Sequence, residues 1–151
     1  MNHLHCIVYT SKSTIEWTSQ QLTSLLNTAQ NKNRVLGVTG ILMQIDGRFI
    51  QVIEGESLSK LDALMDTIST DSRHEDVLLL MRSPIPERKF SRWTMGFHNC
   101  TDAREFEELS GYSDVDAFIR DISIEKGWSP AFEFLKMFYQ KNVDGSVQRQ
   151  A

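Results

Sequence analysis

Asp46-Gly47 restricts the fold of this 151-residue chain more than any other feature. An Asp-Gly pair suits a two-residue type I′ turn, whose positive φ angles match the twist of two antiparallel strands. The runs on either side, Val38 to Ile45 and Arg48 to Glu54, read as those strands. The turn sets their register, with Leu42 opposite Gln51 and Met43 opposite Ile50. One face of the hairpin then carries Leu42, Gln44, Phe49, Gln51 and Ile53, and the other Ile41, Met43, Ile45, Ile50 and Val52. Both faces are mostly apolar, so the sheet needs a cover on each side.

The rest of the chain supplies those covers. His5, Ile7 and Tyr9 alternate with Leu4, Cys6 and Val8, which predicts a first strand from His3 to Tyr9. Thr18 and Gln21 have capping-box spacing, with Trp17 and Leu22 placed as a hydrophobic staple. Leu22, Leu25, Leu26 and Ala29 give an amphipathic helix ending near Asn31 to Asn33. Ser57 caps a second helix that carries Leu58, Leu61, Leu64, Met65 and Ile68 at helical spacing. Asp71-Ser72-Arg73-His74 breaks it, and Val77 to Met81 reads as a buried strand. Past Pro84 and Pro86, Trp93, Met95 and Phe97 line one face of a last strand.

The order β-α-β-β-α-β-β predicts an α+β, ferredoxin-like fold with a mixed five-stranded sheet and two helices on one face. Two C-terminal helices are expected to cover the other face. One is capped by Ser113 and carries Val115, Phe118, Ile119 and Ile122; the second opens at Ser129-Pro130 and carries Phe132, Leu135, Phe138 and Tyr139. The expected division is a first unit over 1–98, a helical cap over 99–141 and a disordered polar tail over 142–151.

Composition removes several classes of function. A net charge of -4 argues against a nucleic-acid footprint of clustered Lys and Arg. The apolar runs are far shorter than the roughly 20 residues of a membrane span. The start, Met1-Asn2-His3-Leu4-His5, lacks the pattern of a secretory signal, and Cys6 and Cys100 make no disulfide framework, so a cytoplasmic location is expected. His3, His5, His74 and His98 show no metal-ligand spacing, and Gly37-Val38-Thr39-Gly40 lacks the length and lysine of a phosphate loop.

Some residues sit awkwardly in a purely structural reading. Gln51 falls between Phe49 and Ile53 on a core face, and a buried amide without partners costs about 1–3 kcal/mol. Tyr9 faces the same way. Either the two bond to each other inside an ordinary core, or they meet a polar ligand. Asn33 either caps the first helix or joins that ligand site. Trp93 and Met95 taken alone are ordinary core residues.

Together, however, these residues match a known pattern. Tyr9 with Ser11, Asn33 before Gly37-Val38-Thr39-Gly40, and Phe49-Ile50-Gln51-Val52-Ile53-Glu54-Gly55 resemble the BLUF family of blue-light sensors that use FAD. Asp71-Ser72-Arg73-His74 and Phe90-Ser91-Arg92-Trp93-Thr94-Met95 continue the match, which covers about residues 3 to 98. The resemblance implies non-covalent FAD between the two helices, touched by Tyr9, Asn33, Gln51, Ile68 and Met95. It further implies light-driven electron and proton transfer from Tyr9 through Gln51, with Trp93 and Met95 carrying the signal. The implied product is a non-enzymatic photoreceptor that acts on a separate effector protein and self-associates. Two departures stand out. Ala29 takes the place of a serine found in some members, and Thr67 stands where many carry an arginine toward the flavin C2 carbonyl. A flavin-free ferredoxin-like adaptor and a small flavin oxidoreductase are the competing readings.

Overall fold

A computed structural model of the chain describes residues 3–91, 95–99 and 115–141. Trp93, the expected Ser113 cap and the tail over 142–151 lie outside the described residues. So do the side chains of Phe97, Val115, Phe118, Ile119 and Ile122. The elements run β1 (His5–Ser13), α1 (Ser19–Leu36), β2 (Thr39–Ile45), β3 (Arg48–Gly55), α2 (Leu58–Ser69), β4 (His74–Pro84), β5 (Gly96–Asn99), α3 (Val115–Lys126) and α4 (Pro130–Tyr139). The fold is α+β. Four strands are antiparallel in the order β4-β1-β3-β2, and the short β5 runs parallel to β2 at the far edge.

The β2–β3 hairpin has the register set by its turn. Leu42 pairs with Gln51 and Met43 with Ile50, and Asp46 and Gly47 both take positive φ, 50° and 80°. Gly40 has a separate reason to be glycine, since a Cβ there would lie 1.9 Å from the Val52 carbonyl oxygen. The two hairpin faces feed two cores. Ile41, Met43, Ile45, Ile50 and Val52 pack with Cys6, Val8 and Phe90 against Phe132, Leu135 and Phe138 of α4. Leu42, Phe49 and Ile53 pack with Ile7 against Leu22 and Leu26 of α1 and Leu61 and Leu64 of α2.

The helix starts follow their caps. Thr18 Oγ1 accepts from the Gln21 N–H at 3.1 Å while Gln21 Oε1 accepts from the Thr18 N–H at 2.9 Å. Ser57 and Ser129 cap α2 and α4, with Pro130 at the first helical position of α4. Three expectations need correction. First, α1 runs past Asn33 to Leu36 and stops at Gly37, which takes the left-handed φ of 69° without the penalty a Cβ would bring to an asparagine there. Second, β4 is longer than Val77–Met81 and is not buried. Among the described residues it is the outer strand, paired only with β1, and Leu78 and Leu79 are 59% and 49% exposed. A short apolar run looks alike in a central and an edge strand. Third, β5 begins at Gly96, so Met95 precedes the strand instead of lying within it.

Candidate functional site

Antiparallel pairing of β1 with β3 places Tyr9 directly opposite Gln51. Both side chains are buried on the face toward α1 and α2, and the Tyr9 hydroxyl donates to Gln51 Oε1. The amide's other end, Nε2, donates to Met95 Sδ at 3.3 Å. Met95 is itself anchored, its carbonyl accepting from Gln30 Nε2 of α1 at 3.1 Å. The result is a directed chain, Tyr9 to Gln51 to Met95. Burial, and secondarily the Asp71 carboxylate, pushes the Tyr9 phenol well above its usual range, so it stays a donor. That fixes which end of the Gln51 amide faces it.

A cavity of about 210 Å³ lies over this chain, between α1 and α2. Tyr9, Leu42, Phe49 and Gln51 form its floor, Leu25, Leu26 and Ala29 one wall, and Leu64 and Ile68 the other. Buried Asn33 lines it from the last turn of α1. The α1 cap expected of Asn33 falls to Gly37, whose N–H bonds to the Asn33 carbonyl. Exposed Thr28 and Lys32 on α1 face exposed Thr67 and Arg73 across the opening.

The far end of the cavity is built from residues distant in sequence. His74 Nε2 donates to the Ile68 carbonyl at the end of α2, which leaves Nδ1 to accept from Ser11 Oγ at 2.9 Å. Its ring meets Tyr9 edge to face, with centroids 6.5 Å apart. Arg73 grips Asp71 through Nε at 3.0 Å and Nη2 at 2.6 Å, which holds that carboxyl at about 2. The same guanidinium lies 5.1 Å over the Trp17 ring, which packs edge-on to Phe49 at 6.0 Å. Among the described residues, Trp17 Nε1 and Gln44 Oε1 are buried without a hydrogen-bond partner.

Five of the six candidate residues named above therefore converge, with Tyr9, Asn33, Gln51, Ile68 and Met95 all on this cavity; Trp93 is the sixth. Periodicity gives no hint of the contacts of Trp17, Arg73 and His74. Trp17 reads as one half of a staple with Leu22, and Asp71-Ser72-Arg73-His74 as a helix breaker. Chemically, the cleft offers a flat apolar slot over one paired phenol and amide. Among the described residues the second Gln51 N–H meets no acceptor, and the first meets a thioether, a weak one. A planar heteroaromatic molecule with carbonyl oxygens on its edge suits such a slot.

Comparison with known proteins gives the same picture. The profile of the BLUF family, described as sensors of blue-light using FAD, matches residues 4–96. The photoactivated adenylate cyclase subunit beta of Euglena gracilis is 39% identical over 95 residues, covering 62% of this chain and 11% of that protein. The chain spans about a tenth of the length of the curated relatives it matches. Among solved structures, BlrB, a BLUF protein in its dark state, superposes with a TM-score of 0.64 at 27% identity, covering 89% of this chain and 96% of that one. Klebsiella pneumoniae BlrP1, in a manganese and cyclic-di-GMP complex, gives a TM-score of 0.70 at 30% identity, covering 89% of this chain and 32% of that one.

Proposed function

The chain belongs to the BLUF family, and from that premise we propose that it is a blue-light photoreceptor holding FAD non-covalently between α1 and α2. The observation that carries the reading is the buried chain from Tyr9 through Gln51 to Met95. The cleft fits a flavin ring in kind, with apolar walls from both helices and an amide on the floor whose N–H groups lack a good acceptor among the described residues. Tyr9, Asn33, Gln51, Ile68 and Met95 would contact it.

Bound flavin supplies a chromophore that becomes a strong oxidant on absorbing blue light. The protein's part is proton and hydrogen-bond management. Tyr9 is aligned to pass its hydroxyl proton to Gln51 Oε1 when its electron is drawn away. An amide with a donor end and an acceptor end can answer by rotating or tautomerising. Either change alters the Nε2 contact with the Met95 sulfur, so Met95, just before β5, feels the state of Gln51 and starts the signal expected of Trp93 and Met95.

On this reading the first unit, over 1–98, is a ferredoxin-like sensor without catalysis of its own. The helices over 99–141 serve as its cap. Its signal goes to an effector protein, and the chain self-associates. The relatives support the effector, since the Euglena protein is named a photoactivated adenylate cyclase.

An absorption spectrum before and after blue light tests the proposal. We expect a yellow protein with a reversible red shift, and mass spectrometry of the released chromophore identifies the flavin. Gln51→Leu should retain the flavin and lose the lasting shift. A colourless protein purified with excess flavin sinks the reading.

A further inference from the structure

Glu54 is a buried carboxylate that the photochemistry above does not use. It lies three positions beyond Gln51 on β3, so its side chain points to the opposite sheet face. Oε1 accepts from the Thr39 hydroxyl at 2.8 Å and from the Phe90 backbone N–H at 2.7 Å. Oε2 accepts from the Lys89 backbone N–H at 2.9 Å. Two of these donors are consecutive main-chain amides of the connection between β4 and β5. Arg88 ties the same connection down, donating to Thr39 Oγ1 at 2.9 Å, the Glu54 carbonyl at 3.2 Å and the Gly37 carbonyl at 2.7 Å.

The clamped residues touch both halves of the molecule. Phe90 is fully buried in the core shared with α4, its ring 5.6 Å from that of Phe132 and nearly perpendicular. Lys89 Nζ donates to the Lys126 carbonyl at the end of α3 at 2.5 Å. Five positions after Phe90, Met95 is buried in the other core, with its sulfur on Gln51. The chain thus passes from one core to the other within five residues, and Glu54 holds one end of that passage.

We infer that Glu54 is a positioning residue of the output path. It clamps the Lys89 and Phe90 main chain, so that displacement of Met95 moves Phe90 and Lys89, and through them α4 and the end of α3. Without the clamp, the Lys89 and Phe90 main chain would lose its fixed place, and the same displacement would not reach α4. The inference rests on the photoreceptor reading.

Hydrogen exchange of the flavin-loaded full chain, dark against blue light, tests it on peptides spanning 126–139. Wild type should show a light-dependent difference there. Glu54→Gln keeps the volume but turns a donor toward one clamp amide. It should keep the red shift and dark secondary structure while that difference falls about fivefold. Thr39→Val removes the hydroxyl contacts of Glu54 and Arg88 but spares both clamp amides, and should keep most of the difference. Lys89→Met cuts the link to α3, along with the Lys89–Glu87 ion pair at 3.0 Å, and should lower the difference near 126, which keeps the test open if Glu54→Gln does not fold. A wild-type difference in Glu54→Gln, an equal loss in Thr39→Val, or no effect of Lys89→Met overturns the clamp. So does a wild type that shifts red without any change over 126–139. A wild type with no red shift overturns the photoreceptor reading instead, and the clamp with it.

Discussion

Asp71 and Arg73 close the open end of the cavity with a charge pair whose contribution depends on pH. The Arg73 contacts lower the Asp71 carboxyl from 3.8 to about 2. Below its ordinary value in the folded state, this carboxylate binds fewer protons than in the unfolded chain. Its support is therefore complete above pH 3.8 and is lost as pH falls through about 2. With side chains 31% and 45% exposed, the pair contributes less than about 1 kcal/mol. Asp71→Asn should accordingly lower the urea midpoint near neutrality, and the gap to wild type should close on acidification toward pH 2. A gap independent of pH would assign the effect to packing. Residue by residue, the site was legible where chemistry broke a pattern. Gln51 and Tyr9 stood out because each is polar on an apolar face. Arg73 and His74 did not, because Trp17 and Ser11, their partners, lie 56 and 63 positions away. Glu54 read only as the last residue of a strand, because its donors come from residues 39, 89 and 90.

The elements were readable wherever one short segment decides its own conformation. The Asp46-Gly47 turn fixed the hairpin register, and Thr18 with Gln21 fixed the start of α1. The end of α1 and the exposure of β4 were not readable, since each depends on neighbours beyond the segment. The extra turn of α1 matters for the site, because it places Asn33 inside the helix facing the cavity. The α1 cap offers a test of how far that wall depends on local structure. Thr18→Ala removes the acceptor for the Gln21 N–H and should cost about 1 kcal/mol. Because α1 forms one side of the cleft, flavin should dissociate faster on dilution, as followed by recovery of flavin fluorescence. Destabilisation without faster release would mean that the wall is held by the packing of its Leu22 and Leu26 in the core and not by its N-terminus.

Among the described residues the sheet separates two cores, one under the cavity and one under α4. This arrangement explains how a chain of this length can hold a polar ligand cleft and remain well packed. The α4 face carries stability, while the α1–α2 face gives up close packing to a cavity. Matched truncations separate the two roles. Leu135→Ala removes a fully buried side chain from the α4 core and should cost about 2–5 kcal/mol. The dark flavin spectrum of the folded protein should stay unchanged, because no Leu135 atom lines the cavity. Leu26→Ala, on the cavity wall, should cost less if flavin fills the new space, yet should shift the dark spectrum and weaken flavin retention. Thermal melts with and without added flavin distinguish them. Excess flavin should raise the midpoint of Leu135→Ala as much as that of wild type, since its site is intact, and that of Leu26→Ala by less. If Leu135→Ala disturbs the dark spectrum as much as Leu26→Ala, the sheet does not insulate the cleft, and packing under α4 sets the flavin environment directly.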